Sequence, residues 1–389
     1  MIVIFIFVLS FCLMFANDSA NYNLQVIATT NNNGEIEPCG WKKKPLGGLA
    51  RKASIIDEVK IKHDNVLVLD AGNLFFKNNK LTNADSEYFK MTAEIIRDAY
   101  NVIGCNAFNV GEKDFAAGLD FLISLEKASN FPFISSNIYK NNGMQLFKSY
   151  EIIELNGKKT AVIGLTSSFN SSEVNIKEPI SILDQVINEI DSKYMVDFKI
   201  LLFHSNAADI SKFHMRNFDI DLVIQSKVHK LASDGGKNKT PVFSCGSRGK
   251  YIYSFDLNIN QSESDIIDLS SHEKQISLAE KKLSRMQKGN SNIPLETLYA
   301  DDNKKLEEIR KLNYTLSNSK EIINNAVNYL KFEKIELNKK IADRPDILKI
   351  VDNGKVKIEE VVGPQPAIPH HNHSHPHSHS HPHVSPRSN

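Results

Sequence analysis

At 389 residues, with 41% hydrophobic and 24% charged residues, the chain has the composition of a soluble globular protein of about two domains, not of a disordered or fibrous one. Its 47 Lys and Arg nearly cancel its 46 Asp and Glu, so it has no basic field that would draw in nucleic acid or an anionic membrane. Nucleic acid is therefore set aside as a partner.

Residues 2–16 are apolar without a break but fall short of the about 20 residues that span a bilayer, so residues 1–20 read as a signal peptide. No Lys or Arg precedes the run, and cleavage after Ala16 or Ala20 leaves poor residues upstream. An uncleaved amino-terminal anchor is the alternative. Either way the expected location is exported, periplasmic or extracellular. Beyond the leader only Cys39, Cys105 and Cys245 remain, which permits one internal bridge at most and leaves the pairing open.

From residue 24 to about 258, short runs rich in Val, Ile and Phe alternate with stretches of helical period. The predicted strands are Leu24–Thr29, Val66–Leu69, Ala107–Val110, Phe131–Ser135, Thr160–Leu165, Lys199–Phe203, Asp221–Ile224, Val242–Ser244 and Tyr251–Leu257. Several end in Gly, Asn, Ser or His, as buried strands do when chemistry sits at their carboxyl ends. Leu49–His63 and Ser86–Tyr100 carry apolar residues at three- and four-residue spacing and read as helices, so 21–265 is an α/β domain.

After residue 265 the character changes. The segment 272–335 is charged and poor in Gly and Pro, with Ile309, Leu312, Leu316, Ile323, Val327 and Leu330 at helical spacing. The expectation over 266–345 is a helical extension packed on the domain, or a coiled coil that self-associates or takes a protein partner. Residues 346–389 read as a linker and a disordered tail. Its last part, from residue 364, is rich in Pro and Ser and holds eight of the thirteen His, a composition that buries no apolar surface but can bind zinc, nickel or copper.

Several motifs recur in a fixed order. They are Thr29-Thr30-Asn31-Asn32-Asn33-Gly34, Gly47-Gly48-Leu49-Ala50-Arg51, Leu69-Asp70-Ala71-Gly72-Asn73 and Gly111-Glu112-Lys113-Asp114-Phe115-Ala116. Downstream lie Phe131-Pro132 with Ser136-Asn137, Asn156-Gly157 with Gly164-Leu165-Thr166, the strand ending in His204, Gln225-Ser226-Lys227-Val228-His229, and Gly246-Ser247-Arg248-Gly249-Lys250-Tyr251. Over about 240 residues this order resembles the amino-terminal domain of the 5′-nucleotidase branch of calcineurin-like metallophosphoesterases. The resemblance implies a four-layer αββα sandwich with its site on loops at strand ends. It leaves no counterpart for the carboxy-terminal substrate-binding domain of full-length 5′-nucleotidases.

Two-metal phosphoester hydrolysis needs carboxylate and imidazole ligands that hold two cations side by side. By the resemblance, the Asp and His of the first motif are here Asn31 and Asn33, and the bridging Asp is Asn73. The Asn and catalytic His of the third motif are Glu112 and Lys113, the acidic partner of that His is Ala116, and the first His of the fourth is Lys227. Only His204 and His229 match. No catalytic residue can therefore be assigned, since the catalytic His position is Lys113.

Two Asn replace carboxylates and two Lys add positive charge. An anion site at Asn31, Asn33, Asn73, Lys113 and Lys227 follows, for a phosphate-containing small molecule or a nucleotide. Beside it stands an ion pair of Glu112 with Lys227 that plugs a dead site. A reduced hydrolase is the alternative, holding one divalent cation (Zn, Mn or Co) on His204, His229 and Glu112. Metal handling by the His-rich tail is the second alternative. The loop Glu37-Pro38-Cys39-Gly40-Trp41 places Cys39 near the site, where a lone thiol is inert unless activated.

Overall fold

A computed structural model describes residues 22–40, 44–228, 240–244, 246–260, 264–287, 289 and 292–363. The leader, Trp41, His229, Cys245 and the His-rich tail lie outside the described residues.

The chain opens with strand β1 (Tyr22–Thr29), a ribbon of β2 (Pro38–Cys39) and β3 (Leu46–Gly47), helix α1 (Leu49–Lys62), β4 (Val66–Asp70) and α2 (Ser86–Ile103). Next come β5 (Ala107–Asn109), a 3-10 turn at Glu112–Phe115, α3 (Leu119–Lys127), β6 (Phe133–Ile134) and β7 (Ile138–Lys140). The second half-domain runs β8 (Tyr150–Leu155), β9 (Lys158–Thr166), β10 (Val174–Ile176), α4 (Pro179–Lys193), β11 (Phe198–Ser205), α5 (Ala207–His214), β12 (Leu222–Lys227), β13 (Val242–Ser244) and β14 (Tyr251–Ile259). All nine expected strands and both expected helices are present.

One sheet has seven strands in the order β15-β16-β14-β1-β4-β5-β6, where β15 is Ile266–Asp268 and β16 is Asn328–Glu336; the other has five, β13-β12-β11-β9-β8. The inner faces meet through Leu24, Val26, Leu69, Val162, Ile200, Leu202, Leu222 and Ile224. Ile27, Val68 and Phe108 turn outward under α1 and α2, while Leu201, Phe203 and Val223 lie under α4 and α5. This is the four-layer αββα sandwich. Covering on both faces explains why β11 is buried at every residue and reads as a continuous apolar run.

The region after residue 265 corrects the expected boundaries. Helices α6 (Leu269–Gln287), α7 (Leu295–Leu298) and α8 (Asn303–Asn325) form, and α6 and α8 cover Ala279, Met286 and Ile309 within the chain. The helical register stops at Asn325, however, and β16 returns into the large sheet antiparallel to β14, placing Leu330 between the sheets. Val327 and Leu330 therefore do not extend a helical seam. Residues 345–362 are not a linker either: they form α9 (Pro345–Val362), whose Ile347, Val351 and Ile358 join the core over α1 and α2. Among the described residues no helix is long and apolar enough to cross a membrane.

Candidate functional site

The parallel strands β1, β4, β5, β11 and β12 deliver Asn31 and Asn33, Asn73, Glu112 and Lys113, His204 and Lys227 to one end of the sandwich. Four of these residues, Asn31 (φ 49°), Asn33 (φ 55°), Asn73 (φ 57°) and Lys227 (φ 74°), adopt left-handed backbone. Asn tolerates that region better than any residue but Gly, whereas Lys227 holds it at a cost of about 1 kcal/mol. The reward at Lys227 is local: its N–H meets Asn31 Oδ1 at 3.1 Å.

The side chains form one lattice. Asn73 Nδ2 donates to Asn31 Oδ1 at 3.2 Å, Asn31 Nδ2 donates to the Gly246 carbonyl at 3.2 Å, and Asn33 Nδ2 donates to the Asn31 carbonyl at 2.9 Å. Lys113 takes two amide oxygens, its N–H on Asn73 Oδ1 at 3.0 Å and its Nζ on Asn33 Oδ1 at 3.1 Å. Lys227 Nζ reaches Glu112 Oε2 at 2.6 Å, and Asn79 Nδ2 holds the other oxygen at 2.7 Å. Glu112 and Lys227 are thus ion-paired, so the Lys227 ammonium is already engaged by a carboxylate. Lys113 makes no ion pair among the described residues. Burial lowers its ammonium from the usual value, with Asp114 and Glu112 opposing.

His204 is fully buried. Ser226 Oγ gives its proton to the Ala71 carbonyl at 2.6 Å, so at 2.7 Å it accepts from His204 Nδ1–H. The tautomer is thereby fixed, and Nε2 keeps a lone pair with no hydrogen-bond partner among the described residues. Burial, then Lys227, then Lys113 push the imidazole down to about 3, which keeps it neutral. A Cβ on Gly111 would lie 2.7 Å from both the amide nitrogen and Oδ1 of Asn73 and 3.0 Å from His204 Nδ1, so glycine alone fits there.

Sequence reasoning missed the supports. Asp114, in the acidic position after Lys113, is buried and accepts the N–H groups of Asn73, Phe75 and Gly111 at 3.0, 3.0 and 2.8 Å; burial pushes its carboxyl up to about 7 against those three donors. Beneath the 31–33 loop, Lys52 Nζ reaches Tyr100 Oη at 2.8 Å and Asn32 Oδ1 at 3.3 Å, and Tyr100 donates to Asp70 at 3.0 Å. Arg248 pairs with Glu35 at 2.7 Å. Asn79 and Lys52 carry no motif signal, whereas Asp114 and Ser226 lie inside motifs and were legible. Cys39 and Cys105 are free thiols, and burial followed by Glu35 raises Cys39, so it is not an activated nucleophile.

The donor set does not fit a pair of divalent cations. The oxygens of Asn31, Asn33, Asn73 and Glu112 already accept from N–H groups or ammonium, and two lysines supply the positive charge. Among the described residues no three His, Cys, Asp or Glu converge as a cation cage.

No family model matches the chain. It is 32% identical over 155 residues to a 5′-nucleotidase of Vibrio vulnificus, covering 38% of this chain and 26% of that protein. Over 251 residues it is 27% identical to Protein UshA of Salmonella pullorum, covering 59% and 43% respectively. The chain thus spans less than half the length of these curated relatives. In fold it matches the 5′-nucleotidase precursor of Thermus thermophilus with a TM-score of 0.61 at 16% identity, over 87% of this chain and 59% of that one. It also matches the calcineurin-like phosphoesterase YfkN of Bacillus subtilis with a TM-score of 0.53 at 22% identity, over 63% and 87%. In sequence the chain is thus similar to the 5′-nucleotidase-like branch of the calcineurin-like metallophosphoesterases, and it shares the fold of these proteins.

Proposed function

We propose that this chain is an exported 5′-nucleotidase-like protein that binds a phosphate-bearing small molecule, a nucleotide foremost, without hydrolysing it at a two-cation centre. One observation carries the reading. Where two cations would need anionic ligands, Lys227 Nζ sits 2.6 Å from Glu112 and Lys113 Nζ rests on the Asn33 amide, so the positive charge is protein-borne. The names of the relatives support a nucleotide as the ligand, since two of them are 5′-nucleotidases. Export rests on the apolar run at residues 2–16. The exposed charged faces of α6 and α8 offer a place for a protein partner or a second copy.

Calorimetric titration of AMP and orthophosphate in EDTA tests this, alongside AMP turnover in Mn²⁺, Co²⁺ or Zn²⁺. Binding in EDTA with no turnover is expected. Stoichiometric metal, with turnover abolished in His204→Ala, would overturn the reading.

A second reading is favoured by the buried Nε2 of His204, which has no hydrogen-bond partner among the described residues. An imidazole whose Nδ1 is fixed by a neighbour is how a metal-ligating His is prepared. One cation (Zn, Mn or Co) would be held there by His204, with Glu112 and His229, and would polarise a phosphoester oxygen. Against it stand both lysines, whose charge any cation would meet.

A further inference from the structure

We propose that Glu112 is a resident stand-in for the ligand, and that the ligand's anionic group is a small dianion of the phosphate class that enters by replacing the Glu112 carboxylate on Lys227 and reaching Lys113 as well. This rests on the anion-binding reading above and says what the site selects and what must leave first.

The charge balance sets the class. Lys113 and Lys227 bring two positive charges; Glu112 returns one negative charge in direct contact with Lys227 at 2.6 Å, while Asp114, held by three backbone N–H groups, acts on Lys113 without an ion pair among the described residues. Lys113 Nζ is left on a neutral amide oxygen in a half-buried setting. A monoanion that replaced Glu112 would change nothing in this balance. A dianion would neutralise both ammonium groups, and charge-assisted N–H···O bonds are the stronger kind. Both lysines are tied to one amide lattice: the Lys227 N–H meets Asn31 Oδ1 at 3.1 Å, Asn73 Nδ2 meets the same oxygen at 3.2 Å, and the Lys113 N–H meets Asn73 Oδ1 at 3.0 Å.

The donors match as well. Glu112 is held by an ammonium and by the Nδ2 group of Asn79, at 2.6 and 2.7 Å, and a phosphate oxygen accepts from the same groups. The carboxylate can leave without disturbing the frame. Glu112 opens the 3-10 turn and its side chain is 22% exposed, whereas two residues on, Asp114 is fully buried and anchored to three backbone N–H groups. A rotation of the Glu112 side chain toward solvent therefore clears the place while Gly111 and Lys113 stay put.

The test is orthophosphate titration of the full chain in EDTA at pH 7.5, with sulfate as a second dianion and acetate as a monoanion, on wild type and Glu112→Gln. Phosphate affinity is expected to rise about tenfold or more in Glu112→Gln, the loss of one charge-assisted competitor, with sulfate following; acetate, which can neutralise only one of the two ammonium groups, should bind more weakly than either dianion in both proteins. Glu112→Ala, which removes the same carboxylate without leaving an amide behind, should also strengthen phosphate binding and covers the case in which Glu112→Gln fails to fold. Lys113→Met in the Glu112→Gln background should remove the gain. Phosphate binding by wild type that is unchanged or weaker in both Glu112→Gln and Glu112→Ala overturns the stand-in and leaves the binding reading intact. No uptake of phosphate or AMP by any of these proteins overturns both.

Discussion

Lys227 and Glu112 close the mouth of the site from two different sheets, Nζ to Oε2 2.6 Å, with side-chain exposures of 29% and 22%. Partial burial makes this pair worth more than a surface ion pair, and removing one partner strands the other. Lys227→Ala is expected to destabilise the fold by about 1 kcal/mol or somewhat more in urea unfolding, and to weaken phosphate binding. Glu112→Ala in the same background should recover part of the stability loss, because no charge is then left unpaired. A double variant as unstable as the sum of the two singles would show that the pair contributes nothing.

The Asn31–Asn73 contact tests whether the centre has left metal behind. Its 3.2 Å hydrogen bond runs from an amide N–H to an amide oxygen, and carboxylates cannot make it. Asn31→Asp with Asn73→Asp would set two carboxylates face to face in a buried pocket. This double variant should melt lower than wild type in EDTA and recover in Mn²⁺ or Zn²⁺ by binding linkage, whereas the wild-type melting temperature should be the same in both. A metal-dependent melting temperature in wild type lacking residues 364–389 would contradict the amide-lattice description.

Much of this architecture was legible because burial on both faces leaves a plain trace. In β11 the unbroken apolar run Ile200–Phe203 leads to His204, and the motifs named the residues Asn31, Asn33, Asn73, Glu112, Lys113, His204 and Lys227 that the strands bring to one end of the sandwich. The partners were not legible, since Lys52 with Asn32, and Glu112 with Asn79, meet across separations that no spacing rule connects. The region after residue 265 was misjudged for a different reason. Helical spacing in 309–330 conceals the strand Asn328–Glu336, whose Leu330 is fixed by pairing with Leu257 and not by local propensity.

Lys52 gives a pH signature. It is 1% exposed, and burial lowers its ammonium from 10.5 to about 8, with Asp70 and then Cys105 opposing. Between about pH 8 and 10.5 the unfolded chain holds a proton at this residue that the folded chain has released. Stability at this residue therefore rises with pH through that window, and below about pH 8 the penalty for the buried charge is fully present. Relative to Lys52→Met, wild type should gain on the order of 2 kcal/mol between pH 8 and pH 10 in urea unfolding, because both proteins keep Tyr100 and Cys105. A gap that stays constant across the window would mean that Lys52 keeps its proton in the fold as it does in the unfolded chain, so that burial does not lower its ammonium.

Gly354 of α9 decides whether residues 345–362 belong to the domain. In an exposed helix interior, Gly→Ala stabilises by about 1 kcal/mol, since Gly has more backbone freedom to lose on folding. Here a Cβ would lie 2.4 Å from both Cδ1 and Cγ1 of Ile95, which is itself buried in α2. Ile is branched at Cβ and has few rotamers with which to retreat, so the overlap must separate the two helices. Gly354→Ala is therefore expected to reverse the usual sign and cost about 1 to 3 kcal/mol in urea unfolding. Trimming the partner should undo that cost: Ile95→Ala combined with Gly354→Ala should be more stable than the two separate losses add up to, the mark of residues in direct contact. If Gly354→Ala instead stabilises the protein by the helix-propensity amount, α9 does not pack on α2, and Ile347, Val351 and Ile358 are not part of the core.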